Sequence, residues 1–476
     1  MPDKPNILLI TTDTQRCDTL ACMGYDFAKS PSLDRMAREG IMFTQGHTTS
    51  PVCGPTRCSL ITGVHPPIHG AIENGISRRE DLAVFPDALA EAGYTNIMVG
   101  KTHFGDLPES FGIDFSMTGS SRAQGEDLYT THLKEHGHAK PTEYPHDVPE
   151  ALFFDAFAAT KTMEGIDQAL NDRPDAPFFA FLSMHAPHGP LHPPGRWGTL
   201  YSDDDLPPLP KNPSIEGEPE HAKKLLGLKD NAHKEERINE ERRLYYGFSA
   251  YSDHQVGRML EYLEEKGLTE STLVIFTSDH GIDLFDHGFS NKHVYYDNTW
   301  RIPFLMRMPG TLAAGETREF AIWNDIAATI LGAAGLTSDT MQALDLFTPL
   351  AAGEESPRKC AVSSLYKSCA LATRRWKLEY YFEEGTCRLF DREKDPDEYE
   401  DLSGSETHAP VRHAMTEALL RWRADIVDTE WLKTRTSGSA PVAARVTEFV
   451  KEMKGRESEE RLNEAAQVID ERFTDL

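Results

Sequence analysis

Four short, continuously apolar runs in the first part of the chain constrain its fold more than any other feature. They occupy residues 7–10, 97–99, 178–182 and 273–276, with segments of helical pattern between them. Runs of this length without polar alternation are typical of strands buried on both faces of a parallel sheet, because helices cover both sides of such a sheet. The alternation predicts an α/β domain with a large, mostly parallel (mixed) sheet sandwiched by helices.

Helix signals support this division. A helix is predicted over 31–39, where Ser30 is the N-cap, Pro31 takes the first helical position and Gly40 ends the helix. Further helices are expected near 86–92 and from about 235 to 266. We expect this α/β domain to span residues 1–355.

The pattern changes after residue 355. Short strand-like segments at 369–373, 377–382 and 387–390 are separated by turn signals such as Glu384-Gly385. Helical segments follow at about 409–425 and 440–472. Residues 356–476 are therefore predicted to form a smaller C-terminal α+β subdomain built on an antiparallel sheet.

Charge and composition exclude some classes of function. The chain has 49 Lys and Arg against 76 Asp and Glu, a formal charge of −27, whereas a nucleic-acid binder needs a basic surface. No apolar run approaches the roughly 20 residues of a membrane span, and the first residues do not resemble a signal peptide. Because seven cysteines also fit a reducing compartment, we expect a cytoplasmic protein without nucleic-acid or membrane partners.

Chemically active side chains follow each apolar run. In the order of the runs they are Asp13, then Lys101 and His103, then His185 and His188, then Asp279 and His280. Ligands of open α/β sheets bind outside the carboxyl ends of the strands, so these groups are expected at one edge. Crowded carboxylates repel each other, and a divalent cation relieves that repulsion.

The segment around Cys53, which reads Cys53-Gly54-Pro55-Thr56-Arg57, is the strongest local signal. Its plainest interpretation is a buried cysteine near a turn. A second is a thiolate nucleophile at a helix N-terminus beside an arginine, as in tyrosine phosphatases, although the proline interrupts the amide donors that such a loop needs.

The same segment matches the C-x-P-x-R pattern of type I, formylglycine-dependent sulfatases of the alkaline phosphatase superfamily. Other parts of the chain resemble this family in the same order: the strand ending at Asp13, Gly-Lys-x-His-x-Gly over 100–105, His-x-Pro-His over 185–188, and Asp279-His280-Gly281 followed by Lys292. The 376–402 stretch is similar to the family's C-terminal subdomain. From these motifs the chain is identified as a member of that family.

The resemblance implies a role for each matched residue. Cys53 would become a formylglycine (3-oxoalanine) whose hydrate attacks sulfur, and whose second hydroxyl then expels sulfate. The metal ligands would be Asp13, Asp279, His280 and the modified Cys53. Arg57 and Lys101 would stabilise the diol and the anionic transition state, and His103 would be the base for the second step. His185 and Lys292 would bind the sulfate and neutralise the leaving oxygen, and His188 would contact substrate.

Two positions depart from the family pattern. Thr14 stands where many members have a second acidic or amide ligand, which reduces the charge offered to the cation. His280 stands where many sulfatases have Asn. An oxygen-rich set favours Ca²⁺, our first choice, whereas an imidazole also admits Mn²⁺ or Zn²⁺.

The expected function is therefore hydrolysis of a small sulfate monoester, aryl, alkyl or sugar, after maturation by a formylglycine-generating enzyme. The alternative is a phosphonate monoester or phosphodiester hydrolase with the same nucleophile. A non-catalytic, ligand-binding relative is a third hypothesis, which requires an unmodified Cys53. Sequence leaves the natural substrate and the oligomeric state open.

Overall fold

The computed structural model describes residues 4–105, 109–118, 128–208, 218–220, 223, 235–435 and 455–474. The chain forms two compact units that alternate along the sequence. The first unit comprises Met1–Gly46, Pro86–Val294 and Asn298–Arg318, and the second comprises His47–Phe85, Tyr295–Asp297 and Glu319–Leu476. These units divide the chain in several places. The predicted single domain boundary after residue 355 stays a prediction.

The described residues form the following strands and helices. The strands are β1 (Asn6–Asp13), β2 (Ile41–His47), β3 (Thr95–Lys101), β4 (Ile113–Thr118), β5 (Phe178–Pro187), β6 (Thr272–Ser278), β7 (Asp283–Leu284), β8 (Ser290–Asn291), β9 (Phe304–Arg307), β10 (Gly315–Ile322), β11 (Ala361–Leu365), β12 (Ser368–Ala372), β13 (Trp376–Tyr381) and β14 (Thr386–Asp391). The helices are α1 (Pro31–Glu39), α2 (Cys53–Thr62), α3 (Pro66–His69), α4 (Phe85–Glu91), α5 (Leu128–Glu135), α6 (Phe154–Asp172), α7 (Glu235–Glu265), α8 (Asp297–Trp300), α9 (Asp325–Ala333), α10 (Phe347–Ala351), α11 (Ala409–Arg435) and α12 (Gly455–Arg472).

An eight-stranded sheet with the order β10-β2-β9-β6-β1-β5-β3-β4 forms the core of the first unit. Its centre is parallel: β1 pairs with β5 on one side and β6 on the other, and β3 pairs in parallel with β5 and β4. Strand β9 is antiparallel to both β6 and β2. The four apolar runs all lie in the central parallel strands, which confirms the predicted mixed, mostly parallel sheet.

Helix α1 matches its predicted bounds, but Ser30 does not cap it with its side chain. Instead the Asp253 carboxylate on α7 accepts hydrogen bonds from the backbone N–H groups of Ser32 and Leu33, at 3.1 and 2.8 Å. The Ser30 hydroxyl donates to Asp34 and accepts from the amide of Ala21. The first turn of α1 is thus capped from a helix distant in sequence, which a local capping rule does not foresee.

A four-stranded antiparallel sheet, β11-β12-β13-β14, is the main sheet of the second unit. Helices α11 and α12 pack against each other, and their apolar side chains share a core with this sheet. The predicted antiparallel sheet and the helix near 409–425 are confirmed. Of the predicted helix over 440–472, residues 455–472 are helical, and residues 440–454 lie outside the described residues.

A buried ion network joins distant segments of the second unit. Arg358 forms ion pairs with both Asp325 and Glu459, and all three side chains are fully buried. Glu459 also accepts hydrogen bonds from His65, at 3.1 Å, and from the Trp422 indole, at 2.8 Å. Burial alone raises the pKa of Glu459, but the Arg358 guanidinium and His65 overcome this effect and lower it to about 2.

Two observations concern the chain as a whole. Among the described residues, every helix is too short or too polar to span a lipid bilayer. All seven cysteines are described, and none of them forms a disulfide bond.

Candidate active site

Two carboxylates lie together where β1 and β6 end. The strands pair as far as Thr12 and Ser278, and the amide of Asp279 then donates to the Thr12 carbonyl at 3.2 Å. Asp13 and Asp279 follow directly and are both fully buried. With His280, also fully buried, they offer ligand atoms that lie within 4.8 Å of one another.

Thr14 links the two carboxylates. Its backbone N–H donates to Asp279 Oδ1 at 3.0 Å, and its hydroxyl donates to Asp13 Oδ1 at 2.7 Å. The residue adopts φ = 68°, which is unfavourable for a β-branched side chain and costs on the order of 1–3 kcal/mol. In this geometry Thr14 orients the two acidic ligands by donating hydrogen bonds to them.

The tautomer of His280 follows from its neighbours. Its Nδ1 lies 2.7 Å from the Gly281 carbonyl, which only accepts, so Nδ1 carries the proton and Nε2 presents a lone pair. Gly281 is required here, since a Cβ at this position would lie 2.1 Å from the carbonyl oxygen of Asn298. The local backbone therefore fixes the imidazole with Nε2 directed to the carboxylates, 3.7 Å from Asp279 Oδ1.

This donor set fits a divalent cation. Two buried carboxylates and a neutral imidazole nitrogen converge, and hydrogen bonds from backbone and Thr14 orient the oxygens. Burying two carboxylates together is costly unless positive charge accompanies them. Asp13, Asp279 and His280 are the residues of the first unit that would hold such an ion.

Lys101 provides positive charge at this site. It is buried at the end of β3, and its ammonium donates to Asp13 Oδ2. Gly100 precedes it with φ = 99°, at an irregularity where the pairing of β3 with β4 shifts.

His103 is half-buried with φ = 55°, and among the described residues its Nδ1 has no hydrogen-bond partner. The role of His103 as a base stays a prediction.

The third group of predicted residues meets at the end of β5. The half-buried Lys292 places Nζ 3.3 Å from His188 Nε2 and 3.2 Å from His280 Nε2. The rings of His185 and His188 are 5.1 Å apart. Lys292 thereby connects the predicted substrate-binding histidine to the imidazole of the predicted metal site.

Asp155, at the start of α6, was not singled out by sequence. Its two carboxylate oxygens accept hydrogen bonds from the backbone N–H groups of His185, at 2.8 Å, and Ala186, at 3.1 Å. Burial raises its pKa to about 7, against the effect of these two hydrogen bonds. The sequence signal that could have identified Asp155 is its position as a carboxylate within the otherwise apolar stretch at 153–157.

A second group near the predicted metal ligands is structural. It consists of Asp283, Asp286 and His287, which follow Asp279 and His280 closely in the sequence. The structure buries Asp283 and His287 as a pair at 2.5 Å, and Asp286 pairs with Arg16 at 2.5 Å. These side chains are therefore held by internal ion pairs, and Arg16, which also pairs with Asp18, fixes the chain after β1.

Cys53 and Arg57 belong to the second unit. Helix α2 begins at Cys53, and every residue of the helix is buried. The amide of Gly54 donates to the side chain of Asn74 at 2.8 Å, and the Thr56 hydroxyl lies 2.6 Å from that of Thr48. The predicted catalytic and ligand roles of Cys53 and Arg57 stay predictions.

Comparison with known proteins identifies the family of the chain. The sequence model of the sulfatase family matches residues 5–336, and that of the N-sulphoglucosamine sulphohydrolase C-terminal region matches residues 285–425. An arylsulfatase of Clostridium perfringens is 28% identical over 448 residues, covering 85% of this chain and 91% of that protein. A multifunctional alkaline phosphatase superfamily protein of Trinickia caryophylli is 27% identical over 517 residues, covering 91% of this chain and 98% of its own.

Solved structures show the same fold. The phosphonate monoester hydrolase of Agrobacterium radiobacter superposes with a TM-score of 0.75 at 23% identity, covering 89% of this chain and 96% of that one. A protein solved in complex with its substrate D-glucosamine-2-N,6-O-disulfate superposes with a TM-score of 0.74 at 21% identity, covering 89% and 98%. The chain belongs to the sulfatase family of hydrolases, within the alkaline phosphatase superfamily.

Proposed function

We propose that this protein hydrolyses a small sulfate monoester, using a formylglycine derived from Cys53 and a divalent cation held by Asp13, Asp279 and His280. The observation that carries the proposal is the convergence of these three buried ligands. Membership of the sulfatase family and the C-x-P-x-R segment at Cys53 support it.

When bound, the cation would withdraw charge from the sulfate oxygens, and the formylglycine derived from Cys53 would provide the attacking hydroxyl. The ammonium groups of Lys101 and Lys292 contact different members of the proposed ligand set, Asp13 and His280. Fixed positive charges of this kind stabilise an anion whose charge shifts toward the leaving oxygen. Lys292 then neutralises or protonates that oxygen, and His188 positions the ammonium.

The second candidate is a phosphonate monoester or phosphodiester hydrolase. The observation that favours it is the imidazole of His280 at the metal site, where an amide oxygen would make the site more calcium-like. The similarity to a phosphonate monoester hydrolase supports the same alternative at the level of the fold. We place it second because the sulfatase family model matches most of the chain.

Hydrolysis of p-nitrophenyl sulfate and p-nitrophenyl phenylphosphonate, measured side by side, separates the two candidates. The protein is co-expressed with a formylglycine-generating enzyme, and Cys53→Ala is the blank. Dominant sulfate-ester turnover that vanishes in the blank supports the first candidate. Dominant phosphonate turnover assigns the chain to the second and makes Mn²⁺ or Zn²⁺ the favoured metal.

Two further measurements test the cofactors. In matured protein, the peptide that carries Cys53 should lack a free thiol and show the mass loss of the thiol-to-aldehyde change. An intact cysteine in active protein contradicts the mechanism. Exhaustive chelation should abolish turnover and one type of divalent ion should restore it, with Ca²⁺ expected to be the most effective.

A further inference from the structure

The hydroxyl of Tyr245 lies beside the segment that follows the predicted metal ligand Asp13. Tyr245 is on α7 and is buried. Its hydroxyl donates to the Thr14 carbonyl at 2.7 Å and accepts from the backbone N–H of Arg16 at 2.9 Å. A side chain that is 231 residues from Thr14 in the sequence therefore joins two backbone groups of this segment.

This contact completes the hydrogen bonds of Thr14, which is itself buried. The backbone N–H of Thr14 donates to Asp279, and its hydroxyl donates to Asp13. Its carbonyl accepts from Tyr245, so every polar group of the residue is paired. The N–H and the hydroxyl face the predicted metal ligands, whereas the carbonyl is held from α7.

Thr14 needs such support because its backbone conformation is unfavourable. At φ = 68° the Cβ of an L-residue lies close to a carbonyl oxygen, and a β-branched side chain increases the conflict. A residue keeps this conformation only where the surrounding structure fixes it. Without the hydroxyl of Tyr245 the Thr14 carbonyl can rotate, and the residue relaxes toward negative φ. That rotation turns its N–H and hydroxyl away from the two carboxylates.

Tyr245 is well suited to hold the segment. Its ring packs edge to face on that of Tyr246, with centroids 5.6 Å apart and an interplanar angle of 78°. Burial raises the pKa of the Tyr245 hydroxyl above its usual value, so the group remains a donor at neutral pH. The N–H of Gln15 donates to Ser278 at 2.8 Å, which attaches the same segment to the end of β6.

We propose that Tyr245 is a positioning residue for the cation, and that its hydroxyl keeps Thr14 in the conformation in which it orients Asp13 and Asp279. The inference rests on the proposed function, because it assumes that a cation binds at these carboxylates. Tyr245 acts through the backbone of Thr14. Loss of its hydroxyl should therefore weaken cation binding although every ligand is still present.

The first test measures cation affinity in matured protein by competition with a chromophoric chelator, with Ca²⁺ and Mn²⁺ as separate probes. Tyr245→Phe removes the hydroxyl and keeps the ring. Tyr251→Phe is the matched control, because Tyr251 is also buried on α7 and its hydroxyl also joins two backbone groups, those of Ala156 at 3.0 Å and Glu150 at 3.4 Å. We expect affinity to fall about 10- to 100-fold in Tyr245→Phe and to change less than about threefold in Tyr251→Phe.

The second test separates positioning from a general loss of stability. Glycine adopts positive φ without strain, so Thr14→Gly reduces the need for the contact from Tyr245. Cation affinity is measured in both single variants and in the double variant. Tyr245→Phe should cost about threefold or less in the Thr14→Gly background, against about tenfold or more in the natural background. A residue that only stabilised the fold would give the same factor in both backgrounds.

The third test uses the chain without a cation. Hydrogen exchange is followed by mass spectrometry of peptides that cover residues 12–18. The amides of Thr14, Gln15 and Arg16 should exchange at least about tenfold faster in Tyr245→Phe than in Tyr251→Phe. Loss of the bond to Arg16 alone would change a single amide, whereas rotation of Thr14 changes at least two.

The outcomes are distinct. Equal cation affinity in wild type and Tyr245→Phe, or an equal loss in Tyr245→Phe and Tyr251→Phe, overturns the inference. An unchanged factor in the Thr14→Gly background also overturns it. If the wild type binds neither cation, the proposed function fails instead, while the exchange of the Thr14 and Gln15 amides still decides whether Tyr245 holds Thr14.

Discussion

Gly100 connects the sheet to the site, and Gly100→Ala tests that connection. Gly100 pairs with Ser183 across β3 and β5 and directly precedes Lys101. A Cβ added at Gly100 would lie 2.0 Å from the carbonyl oxygen of Ser183, whereas ordinary contact begins at 3.4 Å. The strands must therefore separate by about 1.4 Å, and the side chain that contacts Asp13 must move with them.

The cost has two parts. The positive φ of 99° adds about 1–2 kcal/mol for an L-residue, and overpacking against the Ser183 carbonyl adds about 1–3 kcal/mol. Gly93→Ala is the matched control, because Gly93 has φ = 97° and nothing within 4 Å of the added Cβ. The loss of unfolded-state entropy is the same in both variants, so it cancels in the comparison.

Urea denaturation measures the loss of stability, and turnover of p-nitrophenyl sulfate measures the loss of activity. Gly100→Ala should be destabilised by about 1–3 kcal/mol more than Gly93→Ala. It should also lose about 100-fold in kcat, because displacement of a catalytic group by about 1 Å has that effect, while Gly93→Ala retains its activity. Equal stability of the two variants, with Lys101-dependent turnover intact, would refute the packing argument.

Three further predictions follow from buried polar groups. Glu459→Gln should lose roughly 3 kcal/mol of unfolding free energy at pH 7, because the native pKa of about 2 lies below the unfolded value of 4.5. That difference, measured by denaturation, should disappear as pH falls from 4.5 to 2, and a constant difference would contradict the ion network. The pKa of Asp155 is raised from 3.8 to about 7 in the folded protein. Its contribution to the free energy of unfolding is therefore fully present below pH 3.8 and is lost as the pH rises through 7. The free energy of unfolding of Asp155→Asn, measured by denaturation, should therefore fall less between pH 4 and 7 than that of the wild type, by roughly 4 kcal/mol over this range. Parallel pH profiles of the two proteins would contradict this prediction. Thr14→Val keeps the side-chain shape but removes the hydroxyl that orients Asp13, so Ca²⁺ affinity in a chelator competition should fall about 10- to 100-fold, and an unchanged affinity would exclude this role.

Sequence was sufficient for features that depend on strand order and local pattern. The apolar runs predicted the central strands, and the rule that ligands lie at strand ends predicted that Asp13 and Asp279 lie together. In the structure, Lys292 Nζ lies 3.2 Å from His280 Nε2. The positions of these residues could be predicted because each one lies within a few residues of a strand end.

Contacts between segments distant in sequence were not predictable from a single chain. Asp155 supports the turn at His185 from 30 residues away, and α1 is capped by Asp253 of α7, 220 residues from Leu33. Glu459 pairs with His65 across 394 residues. A carboxylate has the same local sequence signal whether it is solvated or buried against such a partner, so only the fold distinguishes the two.

The central position of β1 has a consequence for the order of events during synthesis. Thr12 contacts Ser278 across 266 residues of sequence, so one edge of β1 has no partner until that much more chain has been made. At about 5–20 residues per second this interval lasts on the order of 10–50 s. Throughout that time one edge of the apolar strand β1 stays unpaired, and the proposed metal site stays incomplete until Asp279 has been translated.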